Sequence, residues 1–192
     1  TVDPYAKALA GRSRWGRGAK VSEHEVRGIF RFDEYDWEGD VFPEIPLHKA
    51  VAYAIHVRGL TKDSSSKARQ KGTFEGVIEK IPYFKELGVN QLHCMPVYEF
   101  EECGVRTNYW GYGPAYCFAP KSAYSAGKDA VRSLKDMVKA CHREGIEVIL
   151  EMPFDGSASR QMMAECLRHY MMEYQIDGFI LNRSVAPMEE SA

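Results

Sequence analysis

Two carboxylates in the second half of the chain are of the right type for acid–base chemistry. Glu151 ends an apolar stretch, and Asp155 follows in the next short loop. A pair of carboxyl groups can serve as acid and base when the surroundings keep one of them protonated. Carboxylates at loop starts also cap and solvate the backbone, and we interpret Glu151 and Asp155 in that way rather than as a catalytic pair.

A dense group of aromatic residues is the second chemical feature. Tyr109, Trp110, Tyr112, Tyr116 and Phe118 lie within one predicted loop. Sugar faces stack on aromatic rings, and phenol groups can form hydrogen bonds with sugar hydroxyls. Such rings also pin long loops to the body of a fold. The residues alone leave both interpretations open, namely a binding surface and loop packing.

The elements that must position these side chains alternate between strand and helix from Ala50 onward. Apolar runs predict four strands, at residues 52–57, 91–95, 146–152 and 176–181. Strands that alternate with helices in this way form right-handed βαβ units and a parallel sheet.

Helical periodicity fills the gaps between these strands. The first helix is predicted to be capped by Thr73 and restarted at Pro82, and the next helix to stop at Gly145. A further helix is predicted to begin at Ser157 or Ser159, and residues 97–128 are predicted to be a long loop.

Four β/α units make half of a (β/α)₈ TIM barrel, since a whole barrel takes about 250 residues. We therefore predict a partial barrel over residues 49–192, with an open doubly wound sheet as the alternative. Residues 1–48 are rich in glycine and proline. They are predicted to be the tail of a β-sandwich domain and a linker that wraps the barrel.

Composition excludes several classes of partner. The chain of 192 residues is 45% hydrophobic and has a formal net charge of −2, which gives no support for binding to nucleic acid or to an anionic membrane surface. Its apolar runs are shorter than a membrane span. Five cysteines without a C-x-x-C pair predict free thiols in a reducing cytoplasm, and neither a metal nor a cofactor is expected.

An ordered set of motifs gives the chain a family resemblance. It contains DPYAKA at 3–8, DWEGD at 36–40, HVRG at 56–59, a longer match at 72–100 and NYWGY at 108–112. This series resembles the isoamylase and glycogen-debranching branch of the α-amylase family of glycoside hydrolases. The resemblance implies a TIM barrel that hydrolyses α-1,6-glucosidic links in glycogen or starch-like glucans. It also implies that Tyr109, Trp110 and Tyr112 contact an α-glucan, with Tyr112 beside the scissile bond.

The departures from the family fall at its catalytic positions. The family pattern D-G-F-R-x-D ends in the nucleophile, but here Ile180 replaces the arginine and Asn182 the nucleophilic aspartate. A carboxamide cannot form the glycosyl–enzyme ester of a retaining mechanism. The family pattern D-x-x-x-N-H is also altered, to Glu151, Asp155 and Gly156. We therefore predict an inactive family member with residual α-glucan binding, and the alternative is a non-catalytic scaffold.

A half barrel also leaves one sheet face and two strand edges open, which favours association. The apolar residues of the predicted strands, about half of which should lie on this inward face, are Ile55, Val57, Leu92, Val148, Leu150, Phe179 and Leu181. A homo-oligomer is expected if the chain ends near Ala192. If residues 1–48 fold back over the sheet, a monomer is expected instead.

Overall fold

A computed structural model describes residues 2–10, 12–16, 26–32, 34–103, 106–127, 129–154, 156 and 158–181. Its strands in chain order are β1 (Leu9–Ala10), β2 (Arg27–Gly28), β3 (Ala52–Ile55), β4 (Gln91–Cys94), β5 (Tyr98–Phe100), β6 (Ala115–Pro120), β7 (Glu147–Met152) and β8 (Gly178–Leu181). Its helices are α1 (Val57–Lys62), α2 (Phe74–Ile78), α3 (Ile81–Glu86), α4 (Ala130–Arg143) and α5 (Arg160–Tyr174). None of the helices in these residues is both long and apolar enough to cross a membrane.

The central sheet contains β3, β4, β7 and β8, which lie side by side in chain order and are all parallel. A doubly wound sheet reverses its strand order at a switch point, and this sheet does not. Successive strands placed next to one another are what a (β/α)₈ barrel requires. The predicted partial barrel is therefore confirmed, and the doubly wound alternative was wrong.

Local sequence signals set the helix ends as predicted. The Thr73 hydroxyl accepts a hydrogen bond from the amide of Gly76, and Ser159 caps α5 in the same way. Pro82 lies in the first turn of α3, where its missing amide proton costs nothing. The predicted helices are thus confirmed, and Ser159 rather than Ser157 is the observed cap.

Two elements differ from the sequence prediction. The first strand ends at Ile55 instead of Val57, because the His56 ring accepts a hydrogen bond from the Gly59 amide and starts α1. Residues 97–128 are not simply a loop, since β5 and β6 pair there as an antiparallel hairpin. A long connection joins these two strands, so the sequence has no short turn motif that would predict the hairpin.

The two faces of the central sheet differ in character. Ile55, Leu92, Val148 and Leu150 are all buried in the core on the helix-covered face. The other face, which a complete barrel would enclose, carries the register row Ala54, His93, Ile149 and Gly178 together with Ala52, Gln91, Glu151 and Ile180. The prediction that about half of the apolar set faces inward was wrong, because strand alternation puts all of its strand residues on the helix-covered face and Val57 lies in α1. Of these strand residues only Leu181, at the end of β8, is exposed, at 44%.

The described residues between Arg31 and Asp40 of the N-terminal segment lie along the outside of α4. Arg31 pairs with Asp129 through two hydrogen bonds of 2.5 and 2.9 Å. Glu38 lies 3.0 Å from the Lys139 ammonium. These contacts show the segment lying against the outer helices, on the opposite side from the open sheet face.

A buried histidine joins three parts of the fold. The His142 ring of α4 lies 2.6 Å from an Asp40 oxygen and 2.9 Å from an Asp177 oxygen. Burial opposes protonation of His142, but the two carboxylates outweigh it and raise its pKa. The same Asp177 oxygen accepts the Val148 amide of β7 at 2.7 Å. The His142 ring therefore links the N-terminal segment, α4 and the start of β8.

This linkage gives stability a predictable dependence on pH. A histidine whose pKa is higher in the folded state than in the unfolded state stabilises the folded protein. This stabilisation is complete below the unfolded-state pKa of about 6.5 and is lost as the pH rises through the folded-state pKa. We expect His142→Gln to lower the free energy of unfolding by about 3 kcal/mol at pH 6, because two buried carboxylates lose their partner. The loss should be smaller at pH 9. Urea unfolding at both pH values measures this. The exposed His48→Gln variant is the control, and an equal cost at both pH values would contradict the account.

Candidate functional site

The site lies at the carboxyl ends of the strands and is built around the β5–β6 hairpin. Lys121, directly after β6, is fully buried and lies 2.7 Å from Glu99 and 2.6 Å from Glu102. Its ammonium also donates to the Phe100 carbonyl at 2.7 Å. Three acceptors thus satisfy the three protons of a buried ammonium, and the base of the hairpin is held closed.

A tight turn at residues 108–112 projects from this hairpin. The Asn108 side chain accepts from the Gly111 amide at 3.0 Å and donates to the Tyr112 carbonyl at 2.8 Å. Gly111 has a φ of +88°, and a Cβ there would lie 2.7 Å from the Phe100 ring and 2.9 Å from Pro96. Glycine is therefore required at this point both by conformation and by space.

The three predicted sugar-binding aromatics have different environments. Tyr109 is stacked on the His56 ring, with centroids 4.4 Å apart and planes 16° apart, and it also meets Trp15 edge to face. Trp110 is 51% exposed and Tyr112 is 43% exposed. The turn therefore uses Tyr109 for packing and leaves Trp110 and Tyr112 open to a ligand.

His56 is a satisfied neutral group. Its Nδ1 accepts the Gly59 amide, so the proton lies on Nε2, which donates to the Tyr109 carbonyl at 2.8 Å. Burial lowers the pKa of His56, and Arg58 adds to the effect. This arrangement makes His56 a structural group that joins the start of α1 to the aromatic turn.

Glu151 meets the aromatic turn from the open face of the sheet. The Tyr112 hydroxyl donates to Glu151 Oε1 at 2.9 Å. Burial, and then the Glu151 carboxylate, raise the pKa of Tyr112 to about 12, so the phenol stays protonated and keeps donating. Sequence reasoning named both residues but did not foresee this bond, which joins positions far apart in the chain.

Of the predicted degenerate positions, the structure describes Glu151, Ile180 and Gly156. Ile180 is the register partner of Glu151 on the neighbouring strand and is 38% exposed. Gly156 is exposed and has open space at its Cβ position. Asp155 and Asn182 lie outside the described residues. Within the described part of the chain, Glu151 makes no ion pair, and no group of acidic, histidine or cysteine side chains could hold a metal.

Comparison with known proteins places this geometry in a family. The model of the alpha-amylase catalytic domain matches residues 60–180. The chain belongs to the α-amylase family. Within that family it lies in the isoamylase branch. It is 30% identical to isoamylase 1 of Oryza sativa subsp. japonica over 93% of this chain and 30% of that protein. It is 32% identical to the GlgX homolog of Haemophilus influenzae over 83% of this chain and 27% of that protein.

Solved structures agree on the fold. The pullulanase of Paenibacillus barengoltzii in complex with maltohexaose and alpha-cyclodextrin superposes with a TM-score of 0.76, at 22% identity, over 94% of this chain and 36% of that one. The Bacillus subtilis pullulanase complexed with maltose gives a TM-score of 0.72 at 23% identity, over 94% and 32%. The chain spans about a third or less of the length of these proteins.

Gly111→Ala tests whether the turn positions the exposed aromatics. The added methyl group would meet Phe100 and Pro96, and the left-handed backbone would be strained. We expect a cost of about 2 kcal/mol in unfolding free energy and loss of the Tyr112–Glu151 bond. Urea unfolding and the side-chain NMR shifts of Tyr112 measure the two effects.

Gly113→Ala is the matched control, because Gly113 also has a positive φ but has open space around it. Equal behaviour of the two variants would show that crowding at Gly111 does not hold the turn.

Proposed function

We propose that this chain binds α-glucans without hydrolysing them. The observation that carries the proposal is the pairing of two exposed rings, Trp110 and Tyr112, with the Glu151 carboxylate at the carboxyl end of the sheet. Active and binding sites of barrel folds lie at this end. The pullulanases with the same fold hold maltohexaose, alpha-cyclodextrin or maltose in their structures, which supports a glucan as the ligand.

The chemistry of a glucan suits this arrangement. A glucose ring has an apolar face that stacks on an aromatic side chain and a rim of hydroxyl groups that need hydrogen-bond partners. Trp110 offers a broad exposed ring, and Tyr112 offers a second ring held by its hydroxyl. The positions of both are fixed by the pinned turn, so little conformational entropy is lost on binding.

The proposed loss of hydrolysis rests on two side chains. Asn182 stands where the family has its nucleophile, and a neutral carboxamide does not form a glycosyl ester. Ile180, whose strand position is on the open face beside Glu151, replaces the arginine that the family keeps next to that nucleophile. Both changes remove charge from the place where the reaction needs it.

Binding depends on Trp110 in this proposal. We expect Trp110→Ala to weaken maltohexaose binding about tenfold, which corresponds to about 1.4 kcal/mol, because the largest exposed ring of the site is removed. NMR titration with maltohexaose measures the affinity. Trp37→Phe is the control, since Trp37 packs against Tyr35 away from the site. Unchanged affinity in Trp110→Ala would contradict the proposed site.

Hydrolysis should be absent and should not return with a single change. We expect no reducing sugar from pullulan, glycogen or starch, either with the unchanged chain or with Asn182→Asp. The restored carboxylate would still lack the cationic neighbour that Ile180 replaces. A heat-inactivated sample is the blank. Release of sugar by the unchanged chain that persists in Asn182→Ala would contradict the proposal.

The second candidate is a non-catalytic assembly module. It is favoured by the central sheet, in which β3 and β8 each have one strand partner and the face of Ala54 and His93 is open among the described residues. Open edges and faces of this kind promote association. A homo-oligomer would cover them if the polypeptide ends near Ala192.

Light scattering at low micromolar concentration tests the assembly. We expect a homodimer or larger oligomer, and we expect Ala54→Lys to dissociate it because a charge would be placed in the covered face. Ala164→Lys, on the exposed side of α5, should leave it intact. A monodisperse monomer that binds no apolar dye would rule this candidate out.

A further inference from the structure

The amino ends of the strands carry a second groove, at the opposite end of the barrel from the candidate site. Glu147 begins β7, and Ile176 and Asp177 lie just before β8. Together with Phe42 of the N-terminal segment and the end of α5, they line a groove of about 530 Å³. Barrel folds bind their substrates at the carboxyl ends of the strands, so this groove has no part in the proposed glucan binding.

The walls of the groove are apolar side chains that are open to solvent. Met171 is 53% exposed, Met172 is 75% exposed and Phe42 is 43% exposed. Both methionines belong to α5, whose inner side packs into the core through Cys166 and Tyr170. The outer side of this helix therefore carries apolar groups that the core does not use. Adjoining exposed apolar groups mark interaction surfaces, and the flexible thioether of methionine adapts to the shape of a partner.

The charged side chains of the groove are all carboxylates, from Glu44, Glu147 and Asp177. None of the described lining residues is a lysine or an arginine. Glu147 accepts hydrogen bonds from two neutral amide groups, at 2.8 and 2.7 Å, which do not offset its charge. Glu44 is exposed and makes no ion pair within the described part of the chain. The groove thus combines an apolar wall with negative charge, and its complement is an apolar surface with positive charge.

We propose that this groove docks a basic amphipathic helix of a partner protein. The apolar side of the helix lies on Phe42, Met171 and Met172, and its lysine or arginine side chains lie against Glu44 and Glu147. An amphipathic helix in a hydrophobic groove is a recurrent mode of peptide recognition. Complementary charges speed such an encounter and select the partner.

A pair of synthetic peptides tests the chemistry of the groove. The probe is a fluorescent leucine–lysine helix of about 14 residues, close to the average length of a protein helix. The matched leucine–glutamate peptide has the same apolar side and the opposite charge. We expect the basic peptide to bind about tenfold more tightly than the acidic one, and added salt to weaken its binding. Fluorescence anisotropy measures both affinities.

Variants of the chain locate the binding. Met172→Lys should weaken binding of the basic peptide about tenfold, because a repelling charge replaces an apolar contact. Leu87→Lys is the matched control, since Leu87 is 48% exposed but lies directly after α3. Glu44→Gln should weaken binding severalfold, whereas Glu86→Gln, on the exposed side of α3, should not. Urea unfolding of each variant confirms that it is folded.

Three outcomes would overturn the proposal. The first is equal binding of the two peptides, or no binding of the basic one. The second is an equal effect of Met172→Lys and Leu87→Lys, because the peptide would then respond only to overall charge. The third is a peptide-free homodimer that Met172→Lys dissociates, since a second copy of this chain would then occupy the groove. The affinity for maltohexaose should stay the same in every variant, which separates this proposal from the proposed function.

Discussion

The buried ammonium of Lys121 is the constraint on which the candidate site depends. Its three acceptors, Glu99, Glu102 and the Phe100 carbonyl, all lie on the other side of the β5–β6 hairpin. Removing one partner of such a cluster leaves a buried charge uncompensated, at a cost of about 3–5 kcal/mol. Because the aromatic turn is part of the insertion that this cluster closes, the position of Trp110 and Tyr112 relative to the sheet follows from it.

The N-terminal segment contacts the barrel in two places, one near the β5–β6 hairpin and one at α4. Trp15 stacks on Tyr124 and lies 4.6 Å from the Arg58 guanidinium, and the Gly16 amide donates to Glu102. Farther along the segment, Asp40 reaches His142 beneath the sheet. Residues 1–48 are therefore tied to the barrel at its carboxyl rim and behind α4, consistent with the predicted linker role. The division into a sandwich tail and a barrel at residue 48 stays a prediction.

The sequence predicts the local elements well and the long-range polar contacts poorly. Apolar runs and caps such as Thr73 specify strands and helices because those signals are local. The bonds of Glu151 with Tyr112, of Lys121 with Glu99 and of His142 with Asp40 join residues far apart in the chain. No periodicity encodes such pairs, so only the folded arrangement shows that Glu151 meets the aromatic turn.

The central claim is that this rim of the barrel holds an α-glucan and leaves it intact. A crystal structure of the chain soaked with maltohexaose tests it most directly. The account predicts an uncleaved oligosaccharide with a glucose ring stacked on Trp110 or Tyr112. Maltohexaose bound only elsewhere on the molecule, or found as shorter products at this rim, would contradict it.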